Sequence, residues 1–172
     1  MLFNSFAFVC LVLVTFCLYY FPKVSRFQVH ILILSSLFFY AFNNPALLLL
    51  LLTSASINIL TSYYVVYGKV DRRKLLATLG VIANLSILLF FKYGPLFSKT
   101  LFDTKGSIGN FLLTIPLPIG ISFYTFEGIS LLVDVYRKNH EEAVDIVIPS
   151  LPQHARRTLL FISFFPHLIA GP

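Results

Sequence analysis

The sequence predicts an all-α, multi-pass transmembrane helical bundle, and three observations carry that expectation. Of 172 residues, 58% are hydrophobic and only 12% charged, against roughly 25% charged in a typical soluble domain. The charge-free runs are as long as a bilayer core is thick. The basic residues Lys23, Arg26, Lys69, Arg72, Arg73, Lys74 and Lys92 stand at the edges of those runs, where they anchor and orient membrane spans. A soluble fold of this size could not cover so much apolar surface with so few charges, so the lipid bilayer is the expected solvent. The net charge of +6 does not point to nucleic acid, because no basic stripe interleaved with stacking aromatics is present.

The first expected span is Leu2 to Phe21, twenty residues without a charge, about 30 Å as a helix. It does not read as a cleaved signal. No basic residue precedes it, and Phe21-Pro22-Lys23 follows it in place of a small-x-small cleavage site. Cys10 and Cys17 lie seven residues apart within it, about 10 Å by helical rise, too far for a disulfide. They read as apolar packing residues.

A charge-free stretch then runs from Phe27 to Gly68, too long for one span. It breaks at Asn43-Asn44-Pro45, since proline disfavours helix in the residue before it and asparagine favours turns. The first arm, Val29 to Phe42, is short and is expected to use Phe27 and Gln28 at the interface. The second, Ala46 to Tyr67, crosses with some tilt. Ser54, Asn58 and Thr61 recur on it at helical spacing, which predicts a face of interhelical hydrogen bonds.

The basic loop Gly68 to Lys74 precedes a span from Leu75 to Phe91, expected to end at Lys92-Tyr93-Gly94-Pro95. A polar loop, Ser98 to Asn110, follows. Next comes Phe111 to Val133, interrupted by Pro116 and Pro118 and closed by Asp134. Asp134 to Arg157 reads as a hydrophilic loop marked by Pro149 and Pro152. From Thr158 the chain is apolar to Pro172, about 22 Å if helical, short of a full crossing. The sequence therefore reads as the front part of one longer membrane domain. With the N-terminus outside, six basic residues fall in the cytoplasmic loops after spans one and three, against Lys92, Lys99 and Lys105 outside. That asymmetry favours this orientation.

On a helix, Phe123, Glu127, Ser130, Asp134 and Arg137 share one arc. Glu127 lies inside the apolar run, seventeen residues after Asn110 and seven before Asp134, where burying an ionisable group in lipid costs a few kcal/mol or more. Two readings stay open. The arc lines a polar tunnel or positions a substrate, or Glu127 bonds a neighbouring helix while Asp134 and Arg137 pair at the interface. His30, His140, His154 and His167 lack a recognisable orienting partner, and interfacial or packing roles are expected for them. No G-x-S-x-G elbow, Walker loop, HExxH or Cys/His cluster occurs, so neither metal nor cofactor is expected.

The segment Leu117 to Arg137, LPIGISFYTFEGISLLVDVYR, resembles a signature of the membrane-bound O-acyltransferase (MBOAT) family, especially its alginate O-acetyltransferase type. FISFFPHLIAGP at Phe161 to Pro172 is similar to the family's next signature. Weaker likenesses are LLFFKYGPLF at Leu88 to Phe97 and SSLFFYAFNNPALLLLLL at Ser35 to Leu52. The four stand in the family's order. The resemblance implies a helical fold around a central funnel in the bacterial inner membrane. A cytoplasmic acyl donor would supply an acyl group to a hydroxyl acceptor, a polysaccharide such as alginate, with periplasmic acetyl-transfer proteins as partners. It implies a catalytic histidine in a later half not represented here, so no residue of 1–172 is expected to be catalytic. Ser122, Tyr124, Glu127, Ser130, Asp134 and Arg137 are the expected funnel lining. The competing reading is a non-enzymatic transporter subunit or assembly partner.

Overall fold

The computed structural model describes residues 5–42, 44–101, 120–138 and 140–166, and side chains of 95–101 and 140 are outside the description. Seven α-helices are seen among them: α1 Phe6–Tyr20, α2 Gln28–Ala41, α3 Pro45–Tyr67, α4 Arg73–Leu101, α5 Ile121–Arg137, α6 His140–Ile146 and α7 Leu151–Ser163. Two 3-10 segments, Pro22–Phe27 and Val70–Arg72, lead into α2 and α4. Among the described residues, three stretches are long and apolar enough to cross a membrane: Pro22–Ala41, Pro45–Tyr67 and Val70–Gly94.

Local chemistry explains the boundaries. Ser5 caps α1, its hydroxyl accepting from the Phe8 amide at 3.3 Å. Asn44 caps α3 by accepting from the Ala46 amide at 3.0 Å, and Pro45 fills the first helical position, where its missing N–H costs nothing. The expected break therefore stands. The basic link Pro22 to Arg26 is helical and continuous with α2, which gives that arm 20 residues and full crossing length without special use of Phe27 and Gln28.

Two further expectations are corrected. Helix α4 does not stop at Gly94-Pro95 but runs to Leu101. The hydrophilic stretch after Asp134 is largely helical: α5 continues to Arg137, α6 follows, and Pro152 lies in the first turn of α7, a position that tolerates proline. The expected loop Ser98 to Asn110 lies outside the described residues from 102 onward. So do Pro116, Pro118, His167 and the Ala170-Gly171-Pro172 end.

The helices alternate in direction around α3, which touches α2, α4, α5 and α7. Along α1 and α2, Phe8 packs on Phe39, the Thr15 hydroxyl donates to Ser35 Oγ at 2.9 Å, and the Gln28 amide donates to the Tyr19 carbonyl at 3.1 Å. These rungs fix an antiparallel pair. On α3, Ser54, Asn58 and Ser62 are fully buried at four-residue spacing and form one seam. Asn58 and Asn84 exchange amide hydrogen bonds at 3.1 and 2.9 Å, and each amide also donates to the carbonyl four residues back in its own helix. Such interhelical bonds contribute about 0.6–2 kcal/mol each in a membrane bundle. The seam predicted from Ser54 and Asn58 thus exists. Thr61 instead packs against Gly80, where a Cβ would meet it at 2.7 Å.

Among the described residues, a small apolar cluster joins Phe39 and Phe165 to Phe8 and Leu11, and two larger ones fill the bundle. Tyr40, Leu51, Ala55, Leu88, Ile121, Tyr124 and Ile162 form one. Val65, Val66, Ala77, Val135, Ala143 and Val147 form the other, nearer the α3–α4 turn. Outside them, Phe6, Leu34, Leu49, Leu75, Leu79 and Ile82 are more than half exposed, as a lipid-facing surface requires. The chain is a membrane protein.

Candidate functional site

One end of the bundle gathers most of the polar chemistry. Arg73 donates to the Val135 carbonyl at 2.8 Å and the Lys138 carbonyl at 2.6 Å, so a cation closes the C-terminus of α5 against its negative dipole end. Its guanidinium also lies 5.9 Å from the Tyr136 ring centre. Tyr67 donates to the Val147 carbonyl at 2.7 Å and Tyr63 to the Pro149 carbonyl at 3.0 Å. These four bonds hold the α3–α4 turn, the end of α5 and the α6–α7 link together on one side of the molecule.

Between α5, α6 and α7 at that end is a groove of about 290 Å³, lined by Ser130, Leu131, Asp134, Ile146, Arg157, Thr158 and Phe161. That volume is at the lower limit of small-molecule sites. One wall offers a carboxylate and a hydroxyl from α5, the facing wall a guanidinium and a hydroxyl from α7. Leu131, Ile146 and Phe161 supply an apolar floor. This arrangement suits a small ligand with a polar or charged head and a short apolar part.

The expected funnel residues divide in the structure. Ser130 and Asp134 line this groove and are exposed. Tyr124 is fully buried and packs edge-on against Tyr40 at 6.4 Å, inside the apolar core. Ser122 and Glu127 are partly buried, and Arg137 is exposed in the last turn of α5. The six therefore do not share one surface. The helical arc identified the exposed pair but could not show what stands opposite it.

Arg157 and Thr158 are the partners that the sequence did not reveal. Behind Thr158 sits His154, 1% exposed, whose Nε2 lies 2.8 Å from Ser62 Oγ. The Ser62 hydroxyl donates to the Ile59 carbonyl at 3.1 Å, which leaves its oxygen to accept from Nε2–H. Thr158 Oγ1 lies 3.5 Å from Nδ1 and 3.4 Å from Nε2. Equal, long distances to both nitrogens describe a hydroxyl resting against the ring rather than a directed bond. His154 belongs to α7, which is not one of the three crossing stretches. Burial pushes its imidazole below the ordinary value of 6.5, opposed in part by a hydrogen bond to the Ile59 backbone. It is a neutral, buried link between α3 and α7. Its i, i+4, i+8 companions Thr158 and Ile162 are buried too, and that periodicity was the available signal. Among the described residues no cluster of three potential metal ligands occurs.

Neither a family model nor a solved structure matches the chain. Curated proteins do. The chain is 35% identical over its whole length to a probable alginate O-acetylase AlgI of Pseudomonas aeruginosa, covering 32% of that protein. It is likewise 35% identical over its whole length to the one of Pseudomonas putida, covering 35% of it. It is 36% identical, over 82% of its length, to a peptidoglycan O-acetyltransferase of Helicobacter pylori, covering 30% of that protein. The chain thus spans about a third of the length of the curated relatives it matches.

Proposed function

The chain belongs to the membrane-bound O-acyltransferases, of the alginate O-acetylase type, and from that premise we propose that it forms part of an enzyme that O-acetylates a glycan, such as alginate. The observation that carries this reading is identity of 35% along the entire chain to proteins named as alginate O-acetylases. In the reaction an activated acetyl donor on the cytoplasmic side loses its leaving group. The acetyl carbon bonds to an acceptor hydroxyl oxygen, and the hydroxyl proton passes to a base. No residue of 1–172 is assigned as that base.

The contribution of this chain is to shape the acyl path. Ser130 and Asp134, with Arg157 and Thr158 opposite, form a polar recess on the side of the basic turns. Ser122, Tyr124, Glu127 and Arg137 belong to the same helix as Ser130 and Asp134. The orientation has the N-terminus outside the inner membrane. It rests on the basic count and on the packing, because Lys69, Arg72, Arg73, Lys74, Arg137, Lys138, Arg156 and Arg157 all belong to the end closed by the Arg73 and tyrosine bonds. Periplasmic acetyl-transfer proteins would be its partners on the outer side.

The test is genetic and chemical. Deleting the gene should remove O-acetyl groups from the cell's alginate or its peptidoglycan, read by NMR of each purified polymer. In the restored gene, Asp134→Asn or Arg157→Gln should cut acetylation by about tenfold through lost positioning with membrane abundance unchanged. Unaltered O-acetyl content of both polymers after deletion would overturn the proposal.

A further inference from the structure

A second recess lies on the outer face of the bundle, between α4 and α5. Lys74 and Tyr136 stand at its mouth, and Ala77, Val81, Leu132 and Val133 are among its walls, enclosing about 240 Å³. Three properties define what it fits. Its walls are apolar, and Leu75 and Leu79 on the same helix are more than half exposed, so it lies on an outward-facing, apolar surface of the described residues. Its mouth is cationic: Lys74 follows Lys69 and Arg72, all exposed, with Asp71 the one acid of that turn. Arg73 is held against the end of α5 and fixes Tyr136 beside the opening. Its length is that of one leaflet. From Lys74 to Ile82 is about 12 Å by helical rise, against about 15 Å for half of the hydrocarbon core.

We infer that this groove is a binding site for one anionic phospholipid, with the phosphate on Lys74 and an acyl chain laid between α4 and α5. A lipid matches all three properties, because its charge sits at one membrane surface and its chain ends near the midplane. A transmembrane helix seated there would run the whole thickness and would bring no anion to the cationic mouth. Basic residues at a membrane surface attract anionic headgroups, and here the attraction acts at the head of a preformed apolar slot. The site is separate from the α5–α7 groove, which opens on the other flank of α5.

The full-length protein is exchanged into bilayer discs of phosphatidylcholine containing a minor fraction of phosphatidylglycerol. It is then extracted in mild detergent, and the retained lipid is identified by mass spectrometry. Phosphatidylglycerol should be enriched over phosphatidylcholine, and Lys74→Gln or Val81→Trp should each lower that enrichment by about fivefold. Lys92→Gln, about 27 Å away along α4, should leave it unchanged. A photoreactive residue at position 78 should label phospholipid. Equal retention of the two lipids by the native protein, or unchanged enrichment in Lys74→Gln, overturns the inference. Labelling of polypeptide from position 78 overturns it as well and assigns the groove to a helix. If Val81→Trp fails to fold, the exposed Lys74 variant and the position-78 adduct decide.

Discussion

At Gly128 the α5 backbone lies directly on the Asn58 side chain, and a Cβ there would overlap the Asn58 amide. That amide has no freedom to move, being bonded to the Ser54 carbonyl and to Asn84. Gly128→Ala would gain about 1 kcal/mol of helix propensity but overpack a fixed polar pair, at a cost of about 1–3 kcal/mol. The overlap is expected to win. The thermal midpoint in detergent should fall by a few degrees, and adding Asn58→Ala to the same protein should relieve part of the loss. A fully stable Gly128→Ala protein would show that the helices are further apart than described. His154 gives a second residue-scale prediction. Its folded pKa lies below 6.5, so the unfolded chain binds more protons as pH falls through that value, and stability drops. Between pH 7.5 and 5.5 the native protein should lose more thermal stability than His154→Gln, in which this titration is gone. Identical losses would mean that the ring is already solvated.

Among the elements, α5 depends most on a residue outside it. Two carbonyls at its end are satisfied by Arg73, 62 and 65 positions earlier in the chain. Arg73→Gln should fray the last turn of α5 and disturb Asp134 within it. Hydrogen exchange at Val135 to Lys138 should rise while exchange in α3 stays near the native rate, and O-acetylation should fall with it. The elements that sequence could locate were those with local punctuation. Asn44-Pro45 carries its own cap and its own helix start, and the α3 seam announced itself through Ser54 and Asn58. Gly94-Pro95 misled, because the helix passes through these residues. The region after Asp134 misled for a different reason: α7 is amphipathic, so its average polarity resembles a loop while His154, Thr158 and Ile162 make a buried stripe. The same limit applied to the candidate site. Ser130 and Asp134 were legible because they share an arc of one helix. Arg157 and Thr158 were not, since only tertiary packing brings α7 across from them.

For the whole molecule, the alternation of helices makes sidedness a single decision. The antiparallel rungs from α1 to α5 place Asn44 at the end of the bundle opposite Lys69. Cysteines introduced at Asn44 and Lys69, with Cys10 and Cys17 replaced, should differ in intact cells: an impermeant thiol reagent should label position 44 and spare position 69. The reverse pattern would invert the whole orientation, and with it the side on which the Asp134–Arg157 groove opens. The reciprocal bonds between Asn58 and Asn84 also constrain how the chain is made. The two asparagines are separated by 26 residues, so α3 emerges from the ribosome well before the partner of its central amide exists. An unmatched polar group in hydrocarbon costs several kcal/mol, and α3 released alone into lipid would keep the bond from Asn58 to the Ser54 carbonyl but leave the rest of that amide unmatched. The favourable course is for α3 to wait beside the insertion channel until α4 arrives. The hairpin from Pro45 to Gly94 then partitions into the bilayer as one unit, its two amides already shielded from lipid by each other.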